Sequence, residues 1–283
     1  MRTLRLSVVG AMILTMLGGF AVGVMAESEV DEGVTVEVLS DVGVIPLEAI
    51  PVDADHVSYA RISSDPGVSG EVGSGQPQAW ANLEYVDEGA SSATVAERSR
   101  IWRADGSVED IPAGVASSVS AGDTVLCYDG AAAMAFENGP DEYVSFFVGA
   151  GNSRAQAQPQ VSPPGSEWRL LDYIFPPLKT AEAWFSAPIA ASYERITWEP
   201  GAQLVLGSGE VPMLSFIWLE SGELKYREVP ADEASDASLN YRLVSGGTWT
   251  GQPPADGNVH VLRNEGDVPA VAMGVTLSHA SDS

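Results

Sequence analysis

Thiols and basic side chains are scarce in this chain. One cysteine (Cys127), two lysines (Lys179 and Lys225) and three histidines (His56, His260 and His279) occur in 283 residues, and the formal net charge is −25. Each scarcity excludes something. A lone cysteine leaves no intramolecular disulfide in any compartment. Cys127 lies in the apolar run DTVLCY, where a small buried hydrophobe is expected, and no histidine stands near it to activate a thiolate. So acidic a surface repels nucleic-acid phosphates and anionic lipid, so neither is an expected partner. Three histidines are too few for two metal centres of three histidines each. Sustained helical periodicity is also missing, since no 3.6-residue pattern runs beyond about ten residues. No Ser/His/Asp order, phosphate loop or zinc spacing is found.

What is present begins with a basic start, Arg2 and Arg5, followed by an apolar run over 6–24 and the small-residue site Val24-Met25-Ala26. Residues 1–26 are therefore expected to be a secretory signal, with a retained membrane anchor as the alternative. Gly18, Gly19 and Gly23 weaken a spanning helix and favour cleavage. Removal of Arg2 and Arg5 would move the net charge from −25 to −25 − 2 = −27. No later stretch is long enough to span a bilayer, so a secreted, extracytoplasmic bacterial protein without stable membrane insertion is expected.

Residues 27–55 open with acids and then alternate Val34, Val36 and Val38 with polar residues, as a half-buried strand does. This segment is expected to be a strand arm leading into the strand-rich region that starts at His56. From His56 the chain alternates short β-branched or aromatic runs (SYARI, ANLEYV, DTVLCY, EYVSFFV) with Gly, Pro, Asp and Ser. That pattern predicts an all-β sandwich or barrel. The Gln-, Ser- and Pro-rich stretch over 151–166, and the aromatic segment after it, predict a linker and interdomain segment over 151–190. Strand-like runs resume over 191–279 and leave a tail at 280–283.

The two strand-rich regions, 56–150 and 191–279, repeat each other. DPGVSGEVGSG at 65–75 returns as EPGAQLVLGSG at 199–209. Gly67 matches Gly201, Gly89 matches Gly222, and Asn138 matches Asn264, at offsets of 134, 133 and 126. Ordered landmarks with one small length change indicate a duplicated domain.

The order of these landmarks resembles the cupin superfamily, whose fold is a double-stranded β-helix, or jelly-roll, barrel. The family's first motif runs from a Pro-Gly turn through a His-x-His pair to a Glu, then along a strand to a Gly turn. Its second motif ends in His-x-x-x-Asn. Here the landmarks are PGVSGEVGSG and LEYVDEGASSATV in the first copy, with SAGD entering the second motif. The second copy has PGAQLVLGSG, ESGELKY and NVHVLRN. The resemblance implies two cupin-type barrels, and a typical member would hold a metal with three His and one Glu. Carried over by residue, the histidine places hold Gly73, Gly75 and Met134 in the first copy, and Gly207, Gly209 and His260 in the second. Pro212, Met213 and Leu214 stand around the Glu place of the second copy, with Glu210 on a nearby turn. The resemblance therefore implies a bicupin with degenerate metal motifs, no cofactor and no metal ligands.

Two ligand-handling functions remain open on these residues, beside a purely structural role. One is a non-catalytic module that binds a small molecule or an envelope protein. The other is a metal-independent isomerase or lyase acting on a sugar or small acid, with His260 as its base. Tyr226, Trp218, Arg263 and Met134 are the expected pocket-lining residues. Met134, Phe136 and Tyr128 predict an apolar interior for the first barrel, and the Gly-Ser-Gly segments are either tight turns or places of close ligand approach. A monomer is expected, since two barrels in one chain can satisfy each other's packing and the acidic surface repels further copies.

Overall fold

The computed structural model describes residues 29–30, 32–49, 54, 56–72, 80–128, 134–151, 163–174, 188–207, 213–252, 254 and 257–280. The expected signal segment, the two Gly-Ser-Gly tripeptides apart from Gly207, and most of the expected linker lie outside them.

Alternation and turn chemistry produce antiparallel strands throughout. The arm forms β1 (Glu29–Val30) and β2 (Val34–Ile45). The first barrel holds β3 (His56–Ser64), β4 (Ser69–Val72), β5 (Trp80–Glu88), β6 (Ala90–Val95), β7 (Ser99–Trp102) and β8 (Val108–Ile111). It continues through β9 (Ala116–Ser120), β10 (Thr124–Cys127), β11 (Met134–Asn138) and β12 (Tyr143–Gly151). After the connecting strand β13 (Ser166–Ile174), the second barrel holds β14 (Ile189–Trp198), β15 (Gln203–Gly207), β16 (Met213–Ser221) and β17 (Glu223–Pro230). It closes with β18 (Tyr241–Val244), β19 (Thr248–Gly251), β20 (Asn258–Arg263) and β21 (Ala270–His279).

In the first barrel the sheet β3-β12-β5-β10 faces the sheet β4-β11-β6-β9; in the second, β14-β21-β16-β19 faces β15-β20-β17-β18. The two orders coincide strand for strand, so each half is a double-sheeted jelly roll and the repeat in the sequence is a repeat in the fold. The hairpin β7-β8, which continues the first barrel's sheet beyond β10, has no described counterpart in the second. The matched turns show why glycine stands at both. Gly89 and Gly222 have φ of +77° and +84°, and a Cβ there would lie 2.2 Å from the Glu142 carbonyl oxygen or 2.7 Å from Ala270 Cα.

The arm does not pair with the first repeat, its neighbour in sequence. β2 runs antiparallel along β14, from Val34↔Trp198 to Ile45↔Ile189, and β1 pairs with β15. Conversely β13, which precedes the second barrel, pairs with β3 of the first. The leading strand of each half thus completes the sheet of the other half. Without it, β3 and β14 would be edge strands with unpaired amides and carbonyls.

The largest apolar cluster joins the barrels. Tyr59, Leu83, Tyr85, Phe146 and Val148 of the first meet Tyr193, Leu214, Phe216, Met273 and Val275 of the second. Tyrosines at matched positions of the two first strands bridge the contact. The Tyr59 hydroxyl donates to the Met273 carbonyl at 3.4 Å, and its counterpart Tyr193 donates to the Leu83 carbonyl at 2.6 Å. Strands β3, β5, β12, β14, β16 and β21 therefore bury one face in their own barrel and the other against the partner barrel. Among the described residues no helix is long and apolar enough to cross a membrane.

Candidate functional site

Since the odd face of β5 (Leu83, Tyr85) belongs to the interbarrel core, its even face (Asn82, Glu84, Val86) must look into the first barrel. Val86 packs there with Ile101, Ile111, Val119 and Tyr143. One layer further along the strand, Glu84 lies directly across from Phe147 on β12 and Val125 on β10. Its Oε1 accepts hydrogen bonds from the Tyr143 hydroxyl at 2.9 Å and the Ser145 hydroxyl at 2.6 Å.

Protein surrounds Glu84, yet part of its surface stays accessible. Burial raises its carboxyl above the usual range, and the two hydroxyl donors oppose that rise without cancelling it. Asn82, two residues back on the same face, has a buried Oδ1 with no hydrogen-bond partner among the described residues. Cys127 pairs in register with Asn82. Burial, and then the field of Glu84, pushes its thiol up to about 12, so it stays protonated and is no nucleophile. The Phe147 ring stacks on Trp168 of β13 at 6.0 Å, and the Trp168 Nε1 is also buried without a partner. This interior is a polar wall flanked by aromatic rings.

The second barrel is built differently in the same layer. The place of Glu84 is taken by Ile217, while the place of Ala60 on the first strand is taken by Glu194, as the registers of β16 and β14 against β21 show. Glu194 is 4% exposed, and its Oε1 accepts from the Ser192 hydroxyl at 2.8 Å. Burial raises this carboxyl too, with the Ser192 bond acting in opposition. The places of Val125 and Cys127 are taken by Trp249 and Gly251. A Cβ on Gly251 would lie 2.2 Å from the Trp249 ring, so the missing side chain is what lets that indole fold into the barrel. Trp249 is 5% exposed and packs with Leu204, Leu206, Leu224 and Leu262. A tryptophan and leucines fill the space that polar side chains line in the first barrel.

The sequence-predicted residues fall in different places. His260 faces inward beside Leu206 in register, with its ring 5.4 Å edge-on from Trp249. Its Nε2 lies 2.7 Å from the Gln252 carbonyl oxygen, which can only accept, so the imidazole donates there. Tyr226 joins this group, 6.4 Å edge-on from Trp249 and stacked at 5.3 Å on the exposed Tyr241. Met134 sits on the inward alternation of β11 with Phe136. Trp218 is set apart from the barrel interiors. It lies on the interbarrel face, 5.4 Å from Phe146 and with the Arg61 guanidinium 5.6 Å from its ring. Arg263 points to the outside of its sheet, where it donates to Gln203 Oε1 at 2.6 Å and to the Ser235 and Ala237 carbonyls. Tyr128 belongs to the interbarrel core, so the first interior is less apolar than the sequence suggested.

The inward strand positions preceding the matched glycines are Asn82 and Glu84 in one barrel and Ser215 and Ile217 in the other, with Met134 and His260 facing them from β11 and β20. His56 is buried at the start of β3, and His279 ends β21. Among the described residues no three His, Cys, Asp or Glu side chains converge as metal ligands do.

No protein-family model matches this chain, and no curated protein matches it. Solved structures with a similar chain path include a tryptophan-to-tyrosine variant of the oxalate decarboxylase of Bacillus subtilis, with TM-score 0.43 and 12% identity over 88% of this chain and 74% of that one. A glutamate-to-alanine mutant of the same enzyme gives TM-score 0.43 and 13% identity over 91% and 75%. At this degree of likeness neither substrate nor metal passes from those enzymes to this chain.

Proposed function

We propose that this chain is an extracytoplasmic two-barrel protein of the cupin superfamily that binds a small polar molecule inside its first barrel without catalysing a reaction. The superfamily assignment is supported by the matched strand orders of the two halves, together with the motif landmarks at Gly67, Gly89 and Asn138 and their counterparts. The observation that carries the binding function is the inward Glu84, held by Tyr143 and Ser145 beside the unsatisfied Asn82 Oδ1. A polar cluster in a barrel interior is costly unless a partner completes it, and a recognised ligand is such a partner. The expected result is that members of a small-molecule library raise the Tm of the purified protein and lose that effect in Glu84→Gln. A library without effect, or stabilisation indifferent to Glu84, overturns the assignment. Elemental analysis is expected to find well under one equivalent of transition metal per chain; one full equivalent would contradict a metal-free interior.

The inward orientation of His260 supports a second reading, a metal-independent isomerase or lyase in the second barrel. With Nε2 donating to Gln252, Nδ1 is the nitrogen left to take a proton. In that case His260→Ala abolishes turnover of a sugar or small-acid substrate, whereas an unchanged rate in the variant removes His260 from the mechanism.

A further inference from the structure

We propose that the ligand of the first barrel is a small organic ammonium ion, held by the Glu84 carboxylate and the Asn82 amide oxygen beside the Phe147 ring. The proposal rests on reading that interior as a ligand site. It begins with a surplus of acceptors. Tyr143 and Ser145 both give their hydrogens to Glu84 Oε1, and no described hydrogen bond reaches the other carboxylate oxygen. Asn82 Oδ1, two residues away on the same face, is buried and unpartnered.

Positive charge is missing as well. Burial, Ser145 and Tyr143 govern the ionisation of Glu84, and no Arg, Lys or His among the described residues contributes. The titratable groups around it are Tyr143 on β12, Cys127 on β10 and Tyr193 on β14 of the other barrel. All three are pushed upward and remain neutral at physiological pH. Against an ionised Glu84, the partner that completes this site brings both N–H donors and a positive charge. A carboxylate ligand would meet Glu84 and the Asn82 oxygen, with the Tyr143 and Ser145 hydrogens already given to Glu84. A neutral alcohol would leave the charge of an ionised Glu84 uncompensated.

The aromatic surroundings point the same way. Phe147 stands directly opposite Glu84 in register and stacks on Trp168 at 6.0 Å, and ring faces attract cations. The net charge of −25 further concentrates cations around the molecule. Below the folded pKa of Glu84 the free site holds one proton. Ammonium binding expels that proton to solvent and leaves a carboxylate–ammonium pair, so one positive charge leaves for each that enters.

The test uses the full chain with propylammonium chloride, sodium propionate, propanol and sodium chloride at matched ionic strength. Propylammonium is expected to raise Tm while the other three do not. Its affinity should strengthen by up to about tenfold per pH unit as pH rises towards the folded pKa of Glu84, then level off. Calorimetry in buffers of different ionisation enthalpy should show proton release that vanishes at that plateau, a measurement needing no variant. Glu84→Gln is expected to weaken binding by at least about tenfold. Should that variant misfold, Asn82→Leu is expected to weaken binding in the same direction. Binding of propanol that depends on Glu84 would overturn the ammonium assignment while leaving the interior as a ligand site. Propylammonium binding that ignores both variants and releases no proton would overturn both.

Discussion

At the residue scale, the matched asparagines show how duplicated positions diverge. Asn264 is wholly buried; its Nδ2 donates to the Trp198 carbonyl at 3.0 Å and the Val268 carbonyl at 2.8 Å, and its Oδ1 accepts from the Gly266 amide at 2.9 Å. Asn138 is buried as well, yet its Oδ1 and Nδ2 have no partner. The sequence accounts for the oxygen: two residues on, where the second copy has Gly266, the first has Pro140, which has no amide hydrogen. Asn264→Ala is therefore expected to cost roughly 3 kcal/mol, because it takes the partner from the buried Trp198 carbonyl and from the part-buried Val268 carbonyl and Gly266 amide. Asn138→Ala should cost under about 1 kcal/mol, and denaturant titration of both variants compares them. The asparagines were legible from spacing alone. Glu84 and Glu194 were not, because Glu84 stands between Leu83 and Tyr85 and Glu194 between Tyr193 and Arg195, as solvent-facing residues of a half-buried strand do. Both in fact face barrel interiors. Since burial raises their folded pKa, the stability they permit is complete below the unfolded value of about 4.3 and is lost as pH rises through the folded value. Glu84→Gln should therefore gain stability relative to the parent as pH climbs through that window, as Tm measured across pH would show; a constant difference would count against a raised carboxyl.

At the element scale, strand content and barrel order could be read from turn glycines and alternation, whereas the pairing of the arm could not. Alternation in β2 reports one buried face but carries no information about which distant strand receives its hydrogen bonds. The structure puts β2 on β14, with Val34 and Val42 buried and Thr124 of the first barrel donating to Ser40 at 2.6 Å. β13 serves the first barrel in return and also ties the halves together, through Thr250 to Asp172 and Arg169 to the Gly246 carbonyl at 3.0 Å. Val36→Pro interrupts the β2 ladder opposite Ile196. It should speed amide exchange in β14 and β15 by about tenfold or more, while β3, next in sequence to the arm, keeps its protection. Faster exchange in β3 instead would contradict the crossed pairing.

At the scale of the whole molecule, the exchanged strands and the doubly buried sheets make one folding unit of two barrels. Tyr59, Tyr193 and Phe216 are fully buried, and the Tyr59 ring lies 5.5 Å from that of Phe216 across the boundary. Arg195 adds an ionic bridge across it, 3.1 Å from Asp87 and 3.4 Å from Glu220 of its own barrel. The sequence marked this boundary only in part: β16 (MLSFIWL) and β12 (YVSFFV) carry apolar residues on both faces, as doubly covered strands do, but such a run does not say which partner covers it. A barrel that lost its partner would bare these rings along with the edges that β2 and β13 now complete. Neither half should then persist alone. Phe216→Ala deletes a ring at the centre of the contact without touching the lining of either barrel near Glu84 or His260. It should cost about 3–5 kcal/mol and lower Tm in a single calorimetric transition whose van't Hoff and calorimetric enthalpies agree. Two resolved transitions, with one unmoved by the substitution, would mean that the barrels fold separately and that the crossed strands are ornament to two independent domains.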